Sequence, residues 1–210
     1  MNLSPTKQRI IEAAIRLFNE DGFANVRLQS IADRTGISVG NLAYHYKNKE
    51  AIVEQVYEVV GQELQHVLAD FRQHPSLLDL EHQLHGFHRF IHRYPFYFAD
   101  VLEIKRSFPY LHEERQRFAN KIVLQIRKRF EYNVNRGVII PEPVKGQYEL
   151  AANTIWMLIT FWVSQNQIKG AAVCNIQGFK ASIWGQIIPY LTEKGKEEHK
   201  NLILETTLQD

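Results

Sequence analysis

The sequence has little cysteine, little net charge and no long apolar run, and each shortage excludes a class of protein. Its one cysteine among 210 residues, Cys174, cannot form an internal disulfide. A lone thiol can be a redox sensor, but beside Val173 it is more typical of a small packing residue, and we assign it no role. The longest apolar stretch, 155–163, is interrupted by Thr160 and is far shorter than the ~20 residues that span a bilayer.

Charge and hydropathy are those of an ordinary globular chain. The formal net charge is +2, from 25 Lys and Arg against 23 Asp and Glu, so a nucleic-acid partner would need a local basic patch. The hydrophobic fraction is 45%, and the length allows one or two domains. The first residues lack the pattern of a signal peptide, and we therefore expect a cytoplasmic protein.

The apolar residues recur with the period of a helix, and no stretch alternates apolar and polar residues as a half-buried strand does. This pattern predicts an all-α fold. The first helix should open at Pro5 or Thr6 and end at Asp21-Gly22. Further helices are expected at 28–34, 39–44, 49–72, 77–93, 96–106, 110–136, 145–168 and 176–192, with a charged tail helix after Gly195.

Residues 31–42 have the composition that a helix-turn-helix requires. Two steeply crossing helices need a small residue where they approach, and Ala32 supplies it. The turn needs a residue that tolerates positive φ, such as Gly36, and the second helix needs an N-cap oxygen, such as that of Ser38. The outward positions are small or polar, which suits close approach to a DNA major groove, where Asn41 can read adenine.

A set of short motifs between residues 6 and 53 matches a known family. They are Ile10-Ile11-Glu12-Ala13-Ala14, Leu17-Phe18, Gly22-Phe23, Ile31-Ala32, Gly36-Ile37-Ser38-Val39-Gly40-Asn41-Leu42 and Tyr44-His45-Tyr46-Lys47-Asn48-Lys49-Glu50. Together they resemble the bacterial TetR/AcrR-type transcriptional regulators. The rest of the chain is similar only in length and helical character, so the resemblance says little about a ligand.

The resemblance implies an N-terminal three-helix DNA-binding domain over residues 1–48 and a C-terminal helical domain over 49–210 for effector binding and dimerisation. It makes residues 38–45 the recognition helix and implies that Lys49 contacts a phosphate. A lysine at a helix start also suits an anion on elementary grounds, because the helix N-terminus carries partial positive charge.

Two positions depart from the family pattern. Many members have Thr or Ser where this chain has Arg27, which offers a cationic phosphate contact and leaves helix capping to Asn25 or to nothing. Many have Tyr where this chain has Ala43, so a phosphate-contacting hydroxyl is lost or is taken over by Tyr44. The predicted DNA-binding residues are Arg27, Ser38, Val39, Gly40, Asn41, Tyr44, His45 and Lys49.

The family resemblance also implies an effector cavity among the aromatic-rich later helices. Such cavities are mostly apolar, so we expect a small hydrophobic or aromatic effector. Core packing is the alternative for every aromatic residue there. The predicted lining residues are Phe90, Phe98, Leu102, Tyr110 and Trp156.

Two late helices, 145–168 and 176–192, are apolar around much of their circumference. The resemblance implies that they form a homodimer interface. A dimer would place two recognition helices about one DNA turn (~34–36 Å) or a multiple of it apart, as a palindromic double-stranded operator requires.

Four histidines share one helix face, namely His82, His85, His88 and His92. They could hold a metal or sense pH. The apolar stripe opposite them, and the lack of a Cys or carboxylate cluster, favour a merely solvated face. We therefore assign no metal to the chain.

The sequence also lacks a phosphate-binding glycine loop, a nucleophile elbow and a His-Glu zinc pattern, so we expect neither an enzyme nor a cofactor. The expected function is sequence-specific transcriptional regulation, as a repressor that a small ligand releases from DNA, although activation is equally compatible with the residues. The alternative is an orphan or architectural DNA-binding protein without an effector.

Overall fold

The computed structural model describes residues 3–69, 75–170 and 175–207, with side chains described through Leu202. Extended pairing within these ranges is confined to one isolated antiparallel bridge, between Ile139 and Leu191. The predicted all-α class is confirmed. Cys174 and the predicted end of the fourth helix near Arg72 lie outside the described residues.

Helices follow one another through short turns, and three of them begin at a proline, whose fixed φ suits a first helical position. Single 3₁₀ turns lie at Phe23–Asn25 and Ile188–Tyr190. The α-helices are α1 (Pro5–Asp21), α2 (Leu28–Thr35), α3 (Val39–His45), α4 (Lys49–Ala69), α5 (Leu77–Arg93), α6 (Pro95–Ala99), α7 (Val101–Ser107), α8 (Pro109–Asn135), α9 (Gln147–Ile168), α10 (Ile176–Trp184) and α11 (Glu193–Thr207).

The chain divides into two compact units. The first comprises Met1–Gln65 and Arg93–Glu114, and the second comprises His66–His92 and Arg115–Asp210. The first unit thus takes in α6 and α7 together with α1, α2 and α3. The predicted domain division between residues 48 and 49 stays a prediction.

Four buried phenylalanines form the aromatic core of the first unit. Phe18 of α1 contacts Phe96 of α6 and Phe23 of the following turn, with ring centroids 5.5 and 5.3 Å apart. Phe23 in turn meets Phe108 edge-on at 5.7 Å. These contacts bury the end of α1 against residues that are more than 70 positions away in the sequence.

A buried arginine organises the start of α5 in the second unit. The Arg129 guanidinium donates to the Ser76 carbonyl at 2.8 Å, to Asp79 Oδ2 at 3.0 Å and to Gln83 Oε1 at 3.0 Å. Burial lowers the pKa of Arg129 to about 10, and the Asp79 carboxylate opposes this shift. Because the guanidinium is still charged at neutral pH, the pair ties α8 to α5.

A second buried ion pair joins α5 to α10. Glu81 and Lys180 are both more than 90% buried and lie in contact through Oε1 and Nζ. Trp184 Nε1 donates to the other carboxylate oxygen of Glu81 at 2.8 Å. Removing either charge would leave its buried partner uncompensated, which is strongly destabilising.

The structure corrects two predicted helices. The helix predicted at 96–106 is in fact α6 and α7, which are separated at Asp100, whose carboxylate turns to the Phe23 amide. The helix predicted at 176–192 ends at Trp184, because Gly185 and Pro189 disfavour its continuation and Leu191 is extended.

The tail helix, predicted after Gly195, begins earlier, at Glu193. The Thr192 hydroxyl accepts the Gly195 amide at 3.2 Å and caps it. A Cβ added at Gly195 would lie 2.1 Å from the Val138 carbonyl oxygen, so only glycine fits this approach of two backbones.

Candidate nucleic-acid interface

Helices α2 and α3 form the helix-turn-helix that the sequence predicts. Gly36 adopts the left-handed conformation, with φ +72°, and its amide donates to the Asp33 carbonyl at 3.1 Å. Ser38 Oγ accepts the Asn41 amide at 3.1 Å and caps α3. Ala32 is fully buried, as a residue at the approach of two helices must be.

Two arginines that the sequence analysis did not single out hold this motif to α1. Arg9 donates to the Thr35 carbonyl at 2.6 Å, at the end of α2. Arg34 forms a bidentate pair with Glu20, at 2.7 and 3.2 Å, and this hydrogen bonding lowers the pKa of the Glu20 carboxyl. The orientation of α2 on α1 is therefore set by polar contacts as well as by the apolar core.

Leu42 is buried on one side of α3, and Tyr46, which follows the helix, is buried as well, so the other side of α3 faces solvent. Tyr44 is 87% exposed, and its ring meets the His45 ring edge-on at 5.3 Å. The predicted DNA-binding residues of this segment fall into two groups: Ser38, Gly40, Asn41 and Tyr44 are exposed, and Val39 and His45 are half-buried. One short helix face thus presents small and polar groups together, as a major-groove reader requires.

Arg27 is exposed at the amino end of α2. No described side chain caps this helix, and Asn25 Nδ2 donates to the Asp21 carbonyl at 2.9 Å. Of the two predicted capping arrangements, the uncapped one is therefore found. Arg27 thus stands at the positive end of the α2 dipole, which favours an anion there.

Lys49, the remaining predicted DNA-binding residue, is half-buried at the start of α4. Its ammonium donates to the Phe23 carbonyl at 2.8 Å and lies 4.6 Å from the centroid of the Phe23 ring. Burial lowers the pKa of Lys49, while Glu50 and Glu103 raise it. The structure therefore ties Lys49 to the turn between α1 and α2, a contact across 26 residues that the sequence analysis did not predict.

The predicted effector residues are divided between the two units. Phe98, Leu102 and Tyr110 belong to the first, where Leu102 and Tyr110 are exposed and Tyr110 Oη donates to Glu54 at 2.6 Å. Phe90 and Trp156 belong to the second. An apolar cavity in the second unit is bordered by other side chains, among them Leu80, Ile155, Ile183 and Ile187. The five-residue effector site stays a prediction.

The four histidines of α5 do not form one solvated face. His82 and His92 are exposed and His85 is half-buried, but His88 is buried with its ring 5.7 Å from that of Phe179. The expectation of a solvated face is wrong at His88, because α10 packs against it. Among the residues that the structure describes, no three His, Cys, Asp or Glu side chains are placed to hold a metal ion.

Within the described ranges, no helix is both long and apolar enough to cross a membrane.

Comparison with family models gives two matches. Residues 10–56 match the model for bacterial regulatory proteins of the tetR family, and residues 59–199 match the TetR model, described as bacterial transcriptional repressor. The helix-turn-helix described above lies wholly inside the first match.

Similar proteins include regulators and solved structures. The HTH-type transcriptional regulator UidR of Escherichia coli K12 is 35% identical over 69 residues, which cover 33% of this chain and 34% of UidR. The match thus spans about a third of that relative's length. A TetR-family transcriptional regulator from Marinobacter aquaeolei VT8 is similar with a TM-score of 0.83 and 25% identity, over 92% of this chain and 95% of that one. The SmeT–triclosan complex is similar in fold, with a TM-score of 0.60 and 17% identity, over 90% and 93% of the two chains.

Proposed function

Because the chain belongs to the TetR family of DNA-binding transcriptional regulators, we propose that it is a repressor that binds a palindromic operator as a homodimer and leaves it when a small hydrophobic ligand binds. The observation that carries this proposal is the exposed face of α3. Asn41 and Tyr44 point to solvent there beside Gly40, on a helix that Ser38 caps.

The α3 face supports base reading at close range. A Cβ added at Gly40 would meet nothing closer than Ser38 Oγ, at 3.9 Å, so the glycine is not demanded by packing within the chain. The absence of a side chain at Gly40 instead lets the backbone of α3 approach the floor of the major groove. With α3 in the major groove, Asn41 can form two hydrogen bonds with an adenine edge. Arg27 and Lys49 lie at helix starts, where phosphates bind.

An apolar stripe on α9 supports the homodimer. Its residues lie 7, 4 and 7 positions apart, so they share one side of the helix, and all are more than half exposed. They are Leu150, Met157, Phe161 and Ile168. A row of exposed apolar side chains on one side of a helix favours an interface, and a second copy of α9 is the self-complementary partner that two-fold symmetry supplies.

The proposed effector would bind within the second unit. The SmeT structure contains triclosan, and the second unit of this chain has an apolar cavity bordered by isoleucines. Its volume is about 20 Å³, so the helices around it would have to move apart to admit such a ligand. A hydrophobic ligand in such a cavity would release DNA only if it bound the DNA-free conformation more tightly than the DNA-bound one.

The test is fluorescence anisotropy at physiological salt. The protein is titrated onto a duplex from the DNA flanking its own gene, onto a duplex that it selects from a random pool, and onto unrelated DNA. Specific binding at least ~10³-fold tighter than unrelated binding supports a sequence-reading regulator, with one dimer per palindromic site. The complex then serves to screen hydrophobic compounds for release.

Two results would contradict parts of the proposal. Equal and steeply salt-dependent binding to all duplexes would favour an architectural DNA-binding protein. Specific binding that no compound in the screen weakens would leave the operator claim standing and favour an orphan regulator.

A further inference from the structure

Asp100 stands between α6 and α7, in the first unit, and its side chain is used in an unusual way. Aspartate before a helix is a favoured N-cap, yet no described side chain caps the first amides of α7. Asp100 Oδ2 instead accepts the Phe23 amide at 2.9 Å, across 77 residues of sequence. Asp100 thus contacts the turn between α1 and α2 instead of capping α7.

Phe23 is therefore held from both sides. Its amide donates to Asp100, and its carbonyl accepts the Lys49 ammonium at 2.8 Å. Its ring is buried and lies between those of Phe18 and Phe108. The position of the Lys49 ammonium consequently depends on where Phe23 is fixed.

A second attachment runs parallel to this one. Asn19, near the end of α1, donates through Nδ2 to the Arg93 carbonyl at 3.0 Å and accepts the Phe96 amide through Oδ1 at 3.4 Å. Both of these backbone groups lie at helix ends, where intrahelical partners are missing. Residues 93–100 are thereby fastened to the DNA-binding helices at two places.

We propose that Asp100 is a positioning residue for DNA binding, which acts through Phe23 to hold the Lys49 ammonium where it meets a DNA phosphate. An ammonium has three N–H donors, and the Phe23 carbonyl uses one of them. The remaining donors can bond a phosphate without breaking the contact with Phe23. This inference rests on the proposed function, since it presupposes that Lys49 lies at the operator backbone.

The test is a double-mutant cycle of Asp100→Ala and Lys49→Met, read as binding to the selected duplex over a series of salt concentrations. Asp100→Ala should weaken binding about tenfold, the loss typical of one charge-assisted hydrogen bond. It should also reduce the slope of log K against log salt by about one, as the loss of a phosphate contact does. In the Lys49→Met background the same substitution should have almost no further effect.

Two control variants separate positioning from folding and from charge. Asp100→Asn keeps an oxygen that can accept the Phe23 amide and should bind DNA nearly as the unmodified chain does. Glu113→Gln removes an exposed carboxylate elsewhere in the first unit and should leave the salt slope unchanged. Circular dichroism of each variant confirms that it is folded.

The outcomes distinguish this inference from the proposed function. If the unmodified chain shows no sequence preference, both are overturned. If it binds specifically but Asp100→Ala keeps the full salt slope, or if the losses of the two single variants multiply in the double variant, only the role of Asp100 is overturned. If Asp100→Ala does not fold, an Asp100→Asn variant with weakened binding and a reduced salt slope would also contradict the hydrogen-bond role.

Discussion

The imidazole of His199 lies against the indole of Trp184, with ring centroids 4.4 Å apart. Trp184 Nε1 is in turn hydrogen-bonded to the buried carboxylate of Glu81. Burial lowers the pKa of His199 below its ordinary value of 6.5, and the Glu81 charge only partly opposes this. The folded second unit therefore favours a neutral imidazole.

This gives a pH dependence with a definite sign. Because the pKa of His199 is lower in the folded chain than in the unfolded chain, the unfolded chain binds more protons as the pH falls. The contribution of His199 to the unfolding free energy is fully present above pH 6.5. It is lost as the pH falls from there through the pKa of His199 in the folded chain. His199→Phe keeps a ring against Trp184 and should flatten this part of the urea-unfolding profile between about pH 7.5 and about pH 5.

A matched control is His82→Gln, which changes an exposed histidine of α5. It should leave the pH profile of the unfolding free energy as it is in the unmodified chain. Parallel profiles for the unmodified chain and His199→Phe would contradict the assignment to His199.

Gly195→Ala tests the close approach of α11 to Val138. The added methyl group would sit 2.1 Å from a backbone carbonyl oxygen, which cannot rotate away as a side chain can. Backbone displacement of this kind should cost about 1–3 kcal/mol of unfolding free energy. Urea denaturation measures the loss, and an unchanged midpoint would show that the two backbones separate easily.

Gly40→Ala should separate stability from DNA binding. The new methyl group meets no close neighbour and removes a glycine from a helix, so α3 should gain up to about 1 kcal/mol. The same methyl group stands on the proposed groove-facing side, so affinity for the selected duplex should fall. Thermal unfolding and anisotropy are measured on one preparation, and unchanged or stronger DNA binding would show that this face does not approach the groove closely.

Phe161→Glu should dissociate the proposed dimer. It places a charge in the middle of the α9 stripe, where burial against a second copy would leave that charge unpaired. Light scattering should give twice the chain mass of 24.6 kDa for the unmodified protein and a single chain mass for the variant. Leu78→Glu, at an exposed leucine of α5, is the control and should remain dimeric. If Phe161→Glu remained dimeric, the interface would lie elsewhere on the chain.

Sequence reasoning succeeded where the determining contacts are local. Gly36 and Ser38 act within three residues of themselves, so the turn and the cap of α3 could be predicted from the residue types alone. Prolines likewise marked the starts of α1 and α8.

Contacts between distant residues were not predictable in this way. The separation of α6 from α7 at Asp100 coincides with a hydrogen bond from the Phe23 amide, which lies 77 residues away. Lysines are mostly exposed, so the sequence does not predict that Lys180 is buried. The packing of α10 on α5 brings it to Glu81. The packing of α10 on α5 also buries His88.

If α3 reads base sequence, Asn41→Ala should affect the selected and the unrelated duplexes differently when its binding is compared with that of the unmodified protein at one salt concentration. Binding to the selected duplex should weaken by about 1–3 kcal/mol while binding to unrelated DNA stays the same, since a base contact specifies and a phosphate contact does not. An equal loss on both duplexes, or no loss on either, would show that Asn41 does not read a base.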